Sequence, residues 1–281
     1  MTYRTLLTYI GLPEQAQPVL ETAARLQSNS SGPVHIIALH VIPQIPVYPD
    51  MAFMVSTELT DLQRNALVKQ NDAVKAAVAE SCEKLGLDVE WRSIEAEGQL
   101  VTDRILEHGR YADLVIGLQD DPDRQDDTQY GVMEQVMIEG GRPVLIVPYT
   151  GMGKTLGKNI TVAWNGSREA TRAVFDALPL LQQAESVTVL TVDKPAQGAN
   201  DTLPGAELAA TLARHNVRVT TQPLVLGDSP VPEVIVSAMA DNGADLLVMG
   251  GYGHSRFREF VFGGVTHHLL QSMTTPVLMS H

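Results

Sequence analysis

Short apolar, β-branched runs alternate with longer amphipathic stretches along the whole chain. In its later part ITVAW (160–164), VTVLTV (187–192), VRVTTQPLVL (217–226), DLLVMG (245–250) and PVLMS (276–280) read as strands. Helical patterns fit between them at about 168–183, 204–216, 231–242 and 264–273. Runs that are apolar on both faces imply strands covered on both sides, and the helical spacers supply parallel crossovers. The pattern predicts a doubly wound α/β layer.

The same layer is written twice. YADLVIG (111–117) is followed after a gap by RPVLIVP (142–148), and GADLLVMG (243–250) by TPVLMSH (275–281); Pro143 and Pro276 stand 133 residues apart. LLTYIG (6–11) likewise resembles TVAWNG (161–166), each leading into a helical pattern, PVLETAARLQ or AVFDALPLLQQ. A repeat of this kind predicts two tandem α/β domains with doubly wound parallel sheets. The join is YTGMGKTLGKN (149–159), rich in glycine and poor in hydrophobic residues as a linker should be, which divides the chain into 1–149 and 150–281. From Gly11 to Pro143 is 132 positions, against 110 from Gly166 to Pro276, and the surplus falls around residues 43–75. PQIPVYPDMAFMVS in that stretch is expected to be a packed surface excursion; a lid or partner surface is the alternative.

Composition bounds the partners. With 44% hydrophobic and 19% charged residues in 281, the chain suits a soluble globular protein of two domains. Lys plus Arg is 20 against 33 Asp plus Glu, a formal net charge of -13. General attraction to nucleic acid or an anionic membrane is therefore not expected, and any anion site must be local. Apolar runs such as VHIIAL (34–39) are too short to span a bilayer, and MTYRTLLTYIG lacks signal-peptide architecture, so a cytoplasmic protein is expected. Cys82, the one cysteine, lies in the helical-looking AVKAAVAESCEKLG and is expected to be a packed, unreactive thiol.

One stretch is chemically unusual. GGYGHSRFREFVFGG (250–264) places glycines at 250, 251, 253, 263 and 264 around a basic, aromatic nonapeptide. Glycines serve tight turns or close backbone approach. Gly250 closes a strand, at the edge where open parallel sheets bind ligands. Gly263 and Gly264 precede VTHHLLQSM, an amphipathic pattern, and unpaired amides at a helix start suit a phosphate. His254, Ser255, Arg256 and Arg258 add donors and two fixed positive charges, partly offset by Glu259. Turn formation alone is the competing reading of the glycines.

The earlier repeat is an internal control. At the 133-residue offset Gly264 falls on Gly131, Gly263 on Tyr130, and the basic segment on LQDDPDRQDDTQ, with Asp120, Asp121, Asp123, Asp126 and Asp127 against one Arg124. A polyphosphate is repelled there by about 1 kcal/mol per charge pair at 4 Å in bulk water, and by more in a cleft. DDPDRQDD lacks the glycine and terminal glutamate of a calcium loop, so a solvated charged turn is expected. His267 and His268 are adjacent, project differently from a helix, and are read as surface residues rather than joint metal ligands.

The spacing GxxGx9G at Gly250, Gly253 and Gly263, preceded by ADLLVM and followed by VTHHLL and PVLMS, resembles the ATP-binding motif of universal stress proteins. The AWNGS opening of the later repeat and the duplication resemble two-domain members of that family. The resemblance implies five parallel strands in each half, a Rossmann-like, adenine nucleotide alpha hydrolase-like fold, and ATP, with or without Mg2+, in the second half. The residues that match the family's nucleotide contacts are Asn165, Val192, Gly250, Gly253, Gly263 and Gly264; His254, Ser255, Arg256 and Val265 complete the expected nucleotide site. Asn165 replaces the family's usual aspartate, keeping an acceptor without its charge. Gly264 replaces a usual serine or threonine, removing a phosphate-contacting hydroxyl. The resemblance further implies that the two halves pair within the chain, as single-domain relatives pair in dimers, with a homodimer as a further arrangement.

Catalysis finds no support. There is no GxxxxGK[ST] run and no GxSxG, and GKT at 153–155 lacks the preceding spaced glycine. Ser167 in NGSREA reads as a helix cap. His35 and His40, five apart on a strand, face opposite sides and read as structural. Two functions follow: a stress-linked nucleotide-binding module, or a nucleotide-independent scaffold in which the glycine motif is only a turn.

Overall fold

The computed structural model describes residues 2–43, 57–121, 130–193, 205–227, 229–252 and 259–281, without the side chains of 57–61, 63, 193 and 259–263. The strands are β1 (Thr5–Tyr9), β2 (His35–Ile42), β3 (Glu90–Glu95), β4 (Leu114–Leu118), β5 (Val144–Val147), β6 (Asn159–Ala163), β7 (Ser186–Asp193), β8 (Val219–Val225), β9 (Leu246–Gly250) and β10 (Val277–Ser280). They form one sheet in the order β3-β2-β1-β4-β5-β10-β9-β6-β7-β8. Neighbours run parallel except at the centre, where β5 and β10 pair antiparallel, Leu145 opposite Leu278. Each half thus repeats one strand order, and the second is joined to the first edge to edge.

The apolar runs face both ways, as their composition requires. Leu6, Ile36, Leu114, Ile160, Val248 and Leu278 look to one face of the sheet, and Leu7, Ile37, Val115, Leu247 and Met279 to the other. The first face is covered by α1 (Ala16–Ser28), α2 (Thr57–Leu85), α5 (Arg168–Asp176), α6 (Leu178–Leu181) and α7 (Ala206–Arg214). The second carries α3 (Val101–Gly109), α4 (Val132–Glu139), α8 (Val231–Asp241) and α9 (Glu259–Ser272). Both apolar layers run unbroken across the β5–β10 seam. No described helix is long and apolar enough to cross a membrane.

Three expectations change in detail. The helix expected over 168–183 is divided at Ala177 into α5 and α6. Pro179 lacks the amide that would continue the ladder and its ring crowds the preceding turn. The helix expected from 264 begins at Glu259, so Gly263 and Gly264 lie inside α9. Only the first four amides of a helix are free, so the amides of these two glycines belong to the helical ladder. The surplus at 43–75 falls largely in α2, which has 29 residues against nine in α7; residues 44–56 are outside the described residues.

The join is packed rather than slack. Leu156 is buried, Met152 packs against the core, and Arg25 of α1 donates to the Gly153 carbonyl at 2.6 Å. A second tie crosses the halves where the half-buried Tyr3 donates its hydroxyl to the Asp176 carbonyl at 2.7 Å. Burial first, then Asp176 and Asp113, push that phenol far above its ordinary range. Cys82 is half-buried, its thiol pushed up by burial and by Asp88, as expected of an unreactive cysteine. His35 is exposed and meets Glu90 at 2.7 Å, whereas His40 is buried, bonded to the Ile10 carbonyl at 2.8 Å and stacked on Trp91. The two side chains lie on opposite faces of β2, with the contacts of framework residues.

Candidate functional site

The chain leaves β6 for one face of the sheet and β9 for the other, so their carboxyl ends frame a crevice at the point where the crossovers diverge. Three of the sequence-derived residues meet there from three strands. Asn165 stands exposed just beyond β6, Val192 half-buried near the end of β7, and Gly250 at the end of β9. Val265 is half-buried on α9 and packs against the core, and Gly264 is exposed on the same helix. The backbone of Gly263 is also within α9. Gly253, His254, Ser255 and Arg256 lie outside the described residues.

The turn after β6 is fixed by its own side chains. The Asn165 Oδ1 accepts from the Ser167 amide at 3.0 Å, Gly166 takes a φ of 72°, and the Ser167 hydroxyl accepts from the Ala170 amide at 3.1 Å, capping α5 as expected. Asn165 retains its amide donors and a second acceptor position toward solvent.

Gly250 has a use that the sequence does not reveal. A Cβ there would stand 2.4 Å from the Ala170 nitrogen and 2.6 Å from the Glu169 carbonyl carbon. Only a residue without a side chain lets the first turn of α5 lie against β9 so closely. That approach buries Glu169, which is 4% exposed and bridged to Arg168 at 2.8 Å. Burial opposes the charge of Glu169, but a hydrogen bond to its own backbone amide, Arg168 and the nearby His281 together hold its carboxyl below the usual range. Reading NGSREA gives no hint of this, because an acid in the first turn of a helix normally faces water.

Beyond β9 the chain bends sharply. The Gly251 amide donates to the Ser280 carbonyl at 2.9 Å, its own carbonyl meets the His281 Nδ1 at 3.0 Å, and Tyr252 takes a φ of 48°. A Cβ on Gly251 would stand 2.5 Å from the Met137 sulfur of the first half, a flexible neighbour that can yield.

The matching place in the first half is filled from within. The Gln15 Oε1 accepts from the amides of Gly11 and Leu12 at 2.8 and 3.2 Å. The Asp120 carboxylate accepts from the amide of Gly131, immediately ahead of α4, at 2.8 Å. A side-chain anion therefore already holds the amide that an incoming anion would seek. Asp123, Arg124, Asp126 and Asp127 are outside the described residues.

A separate cavity of about 310 Å³ opens beside the seam, between α4 and α9, lined by Leu118, Gln119, Asp120, Tyr130, Met133, Glu134, Ile146, His267, Leu270 and Gln271. Its wall is pinned by Gln119, buried, which donates to the Leu270 carbonyl at 2.6 Å and accepts from the Tyr149 amide at 3.2 Å. Among the described residues no group of three or more His, Cys, Asp or Glu is arranged to hold a metal ion. His267 and His268 are both exposed.

Comparison with known proteins fits this geometry. Residues 157–281 match the universal stress protein family. A universal stress protein of Synechocystis sp. is 32% identical over 149 residues, which cover 52% of this chain and 49% of that protein, so the match spans about half the length of that relative. The crystal structure of a universal stress protein from Archaeoglobus fulgidus superposes with a TM-score of 0.71 at 16% identity, covering 98% of this chain and 94% of that one. A protein of unknown function from Pseudomonas aeruginosa superposes with a TM-score of 0.55 at 15% identity, covering 98% and 92%. The two superpositions extend the shared α/β fold over both halves.

Proposed function

From the match of residues 157–281 to the universal stress protein family we propose that the chain is a member of that family and that the β6–β9 crevice binds an adenine nucleotide, ATP, one per chain. The reading makes the protein a non-catalytic cytoplasmic module that senses or stores ATP in a regulatory or protective stress role. Residues 1–149 and 150–281 act as two units, the first supplying a packing surface for the second. The observation that carries this is the convergence of Asn165, Val192 and Gly250 at neighbouring strand ends, immediately before the Gly253–Arg256 segment. The phosphates meet that basic segment and the free amides of the first turn of α9, and Mg2+, where present, travels with the phosphates. The first half takes no nucleotide, because Asp120 already occupies the amide of Gly131.

ATP binding to the folded state raises stability by mass action, about 2.7 kcal/mol at a hundredfold excess over Kd. A melting series with ATP and Mg2+ should show this shift, Gly253→Asp should remove it, and titration calorimetry should give one nucleotide per chain. A stoichiometry of two refutes the assignment of the first half. One observation favours a second reading, a nucleotide-independent binding protein: Gly250 is required by the packing of α5, whatever the ligand. An unchanged melting temperature at saturating ATP selects that reading.

A further inference from the structure

The cavity at the seam has a chemical character opposite to that of a phosphate site. Its floor is apolar, from Leu118, Met133 and Leu270, while Asp120, Glu134 and His267 supply its polar side. Glu134 lies on α4 and His267 on α9, 133 residues later, so neither half forms the site alone. The Gln271 amide donates to the His267 Nε2 at 2.9 Å, which leaves the ring proton on Nδ1, 3.9 Å from the Glu134 carboxylate. Burial raises the Glu134 carboxyl, with His267 opposing and Asp120 adding to the rise. Its surroundings therefore offer a partly desolvated acid beside an apolar wall and a second carboxylate.

We propose that this cavity is a second small-molecule site, for a compact amine that sets its ammonium between Glu134 and Asp120 and lays its aliphatic body on Leu118, Met133 and Leu270. A volume of about 310 Å³ is at the small end of ligand pockets, which suits a short alkyl amine rather than a nucleotide. The ammonium donates to both carboxylates, and a charge-assisted bond in a partly desolvated place is stronger than one at the surface. Because α9 provides one wall and also carries Gly263 and Gly264, the bound amine braces the helix that follows the glycine motif.

The probe is putrescine, titrated calorimetrically into the full-length protein at moderate salt, with melting curves alongside. Saturable binding of one equivalent is expected, with an upward melting shift. Glu134→Gln keeps the shape of the side chain and should weaken binding about tenfold or more, since a charged partner is replaced by a neutral one. Glu134→Lys places a tethered ammonium in the cavity and should abolish binding. Glu80→Gln, on the exposed face of α2, removes the same charge far from the cavity and should leave binding unchanged. Circular dichroism of each variant verifies that it is folded. The proposal is overturned by absent or non-saturating binding to the folded wild type, by equal affinity in Glu134→Gln, or by equal losses in Glu134→Gln and Glu80→Gln. None of these readings depends on whether ATP binds the β6–β9 crevice.

Discussion

Single atoms decide what each glycine in the 250–264 stretch contributes. At Gly250 a Cβ would collide with the backbone of Glu169 and Ala170, which cannot swing aside. Gly250→Ala is therefore expected to destabilise by about 1–3 kcal/mol, as overpacking does, measured by urea unfolding. At Gly264 nothing lies within 4 Å of an added Cβ, and the residue is inside α9. Gly264→Ala should stabilise by about 0.5–1 kcal/mol, the helical cost of glycine relative to alanine. A loss at Gly264 would place it outside the helix. His40 gives a pH signature. Burial lowers its pKa from 6.5, against the hydrogen bond to Ile10 that raises it. The unfolded chain then takes up this proton first, so the stability due to the neutral ring is complete above pH 6.5 and falls as the pH drops through the window between 6.5 and the lower folded value. Urea unfolding from pH 7 to 5 should show this decline, and His40→Gln should flatten it.

At the scale of elements, local chemistry was legible wherever it acts within a few residues. NGSREA announces a cap, and Ser167 caps α5. Ser167→Ala should cost about 1 kcal/mol in the same unfolding assay. Strand positions were readable because a strand buried on both faces has to be an apolar run. Helix ends were less so. The division at Ala177 follows from Pro179, a residue visible in the sequence but lost within an apolar pattern that continues through it. The early start of α9 was hidden because FVFGG breaks the amphipathic period, and glycine pairs suggest a boundary. By sequence Asp120 belongs to a cluster that repels a polyphosphate; in the fold its carboxylate acts locally on the helix start, through the Gly131 amide.

The molecule as a whole is held by contacts that cross its middle. β5 and β10 pair antiparallel, both apolar layers continue through them, and Tyr3 reaches the Asp176 carbonyl from the far half. Neither half can open without exposing the core of the other. Calorimetry should therefore show one cooperative unfolding transition, and two resolved transitions would mean that the halves are energetically independent. The Tyr3 tie should be worth about 1 kcal/mol, read from Tyr3→Phe.

By itself the sequence determined that strands and helices alternate, that the series is written twice, and which strand ends carry the glycine motif. These are properties of short stretches, in which a few neighbouring residues set the periodicity and the turn. Only the tertiary structure decided that Gly250 serves the approach of α5, that Glu169 is buried, that two sheets become one, and that Glu134 and His267 share a cavity. Each of those outcomes depends on the distance between segments far apart in the chain, which is fixed by how two surfaces pack and not by the composition of either one.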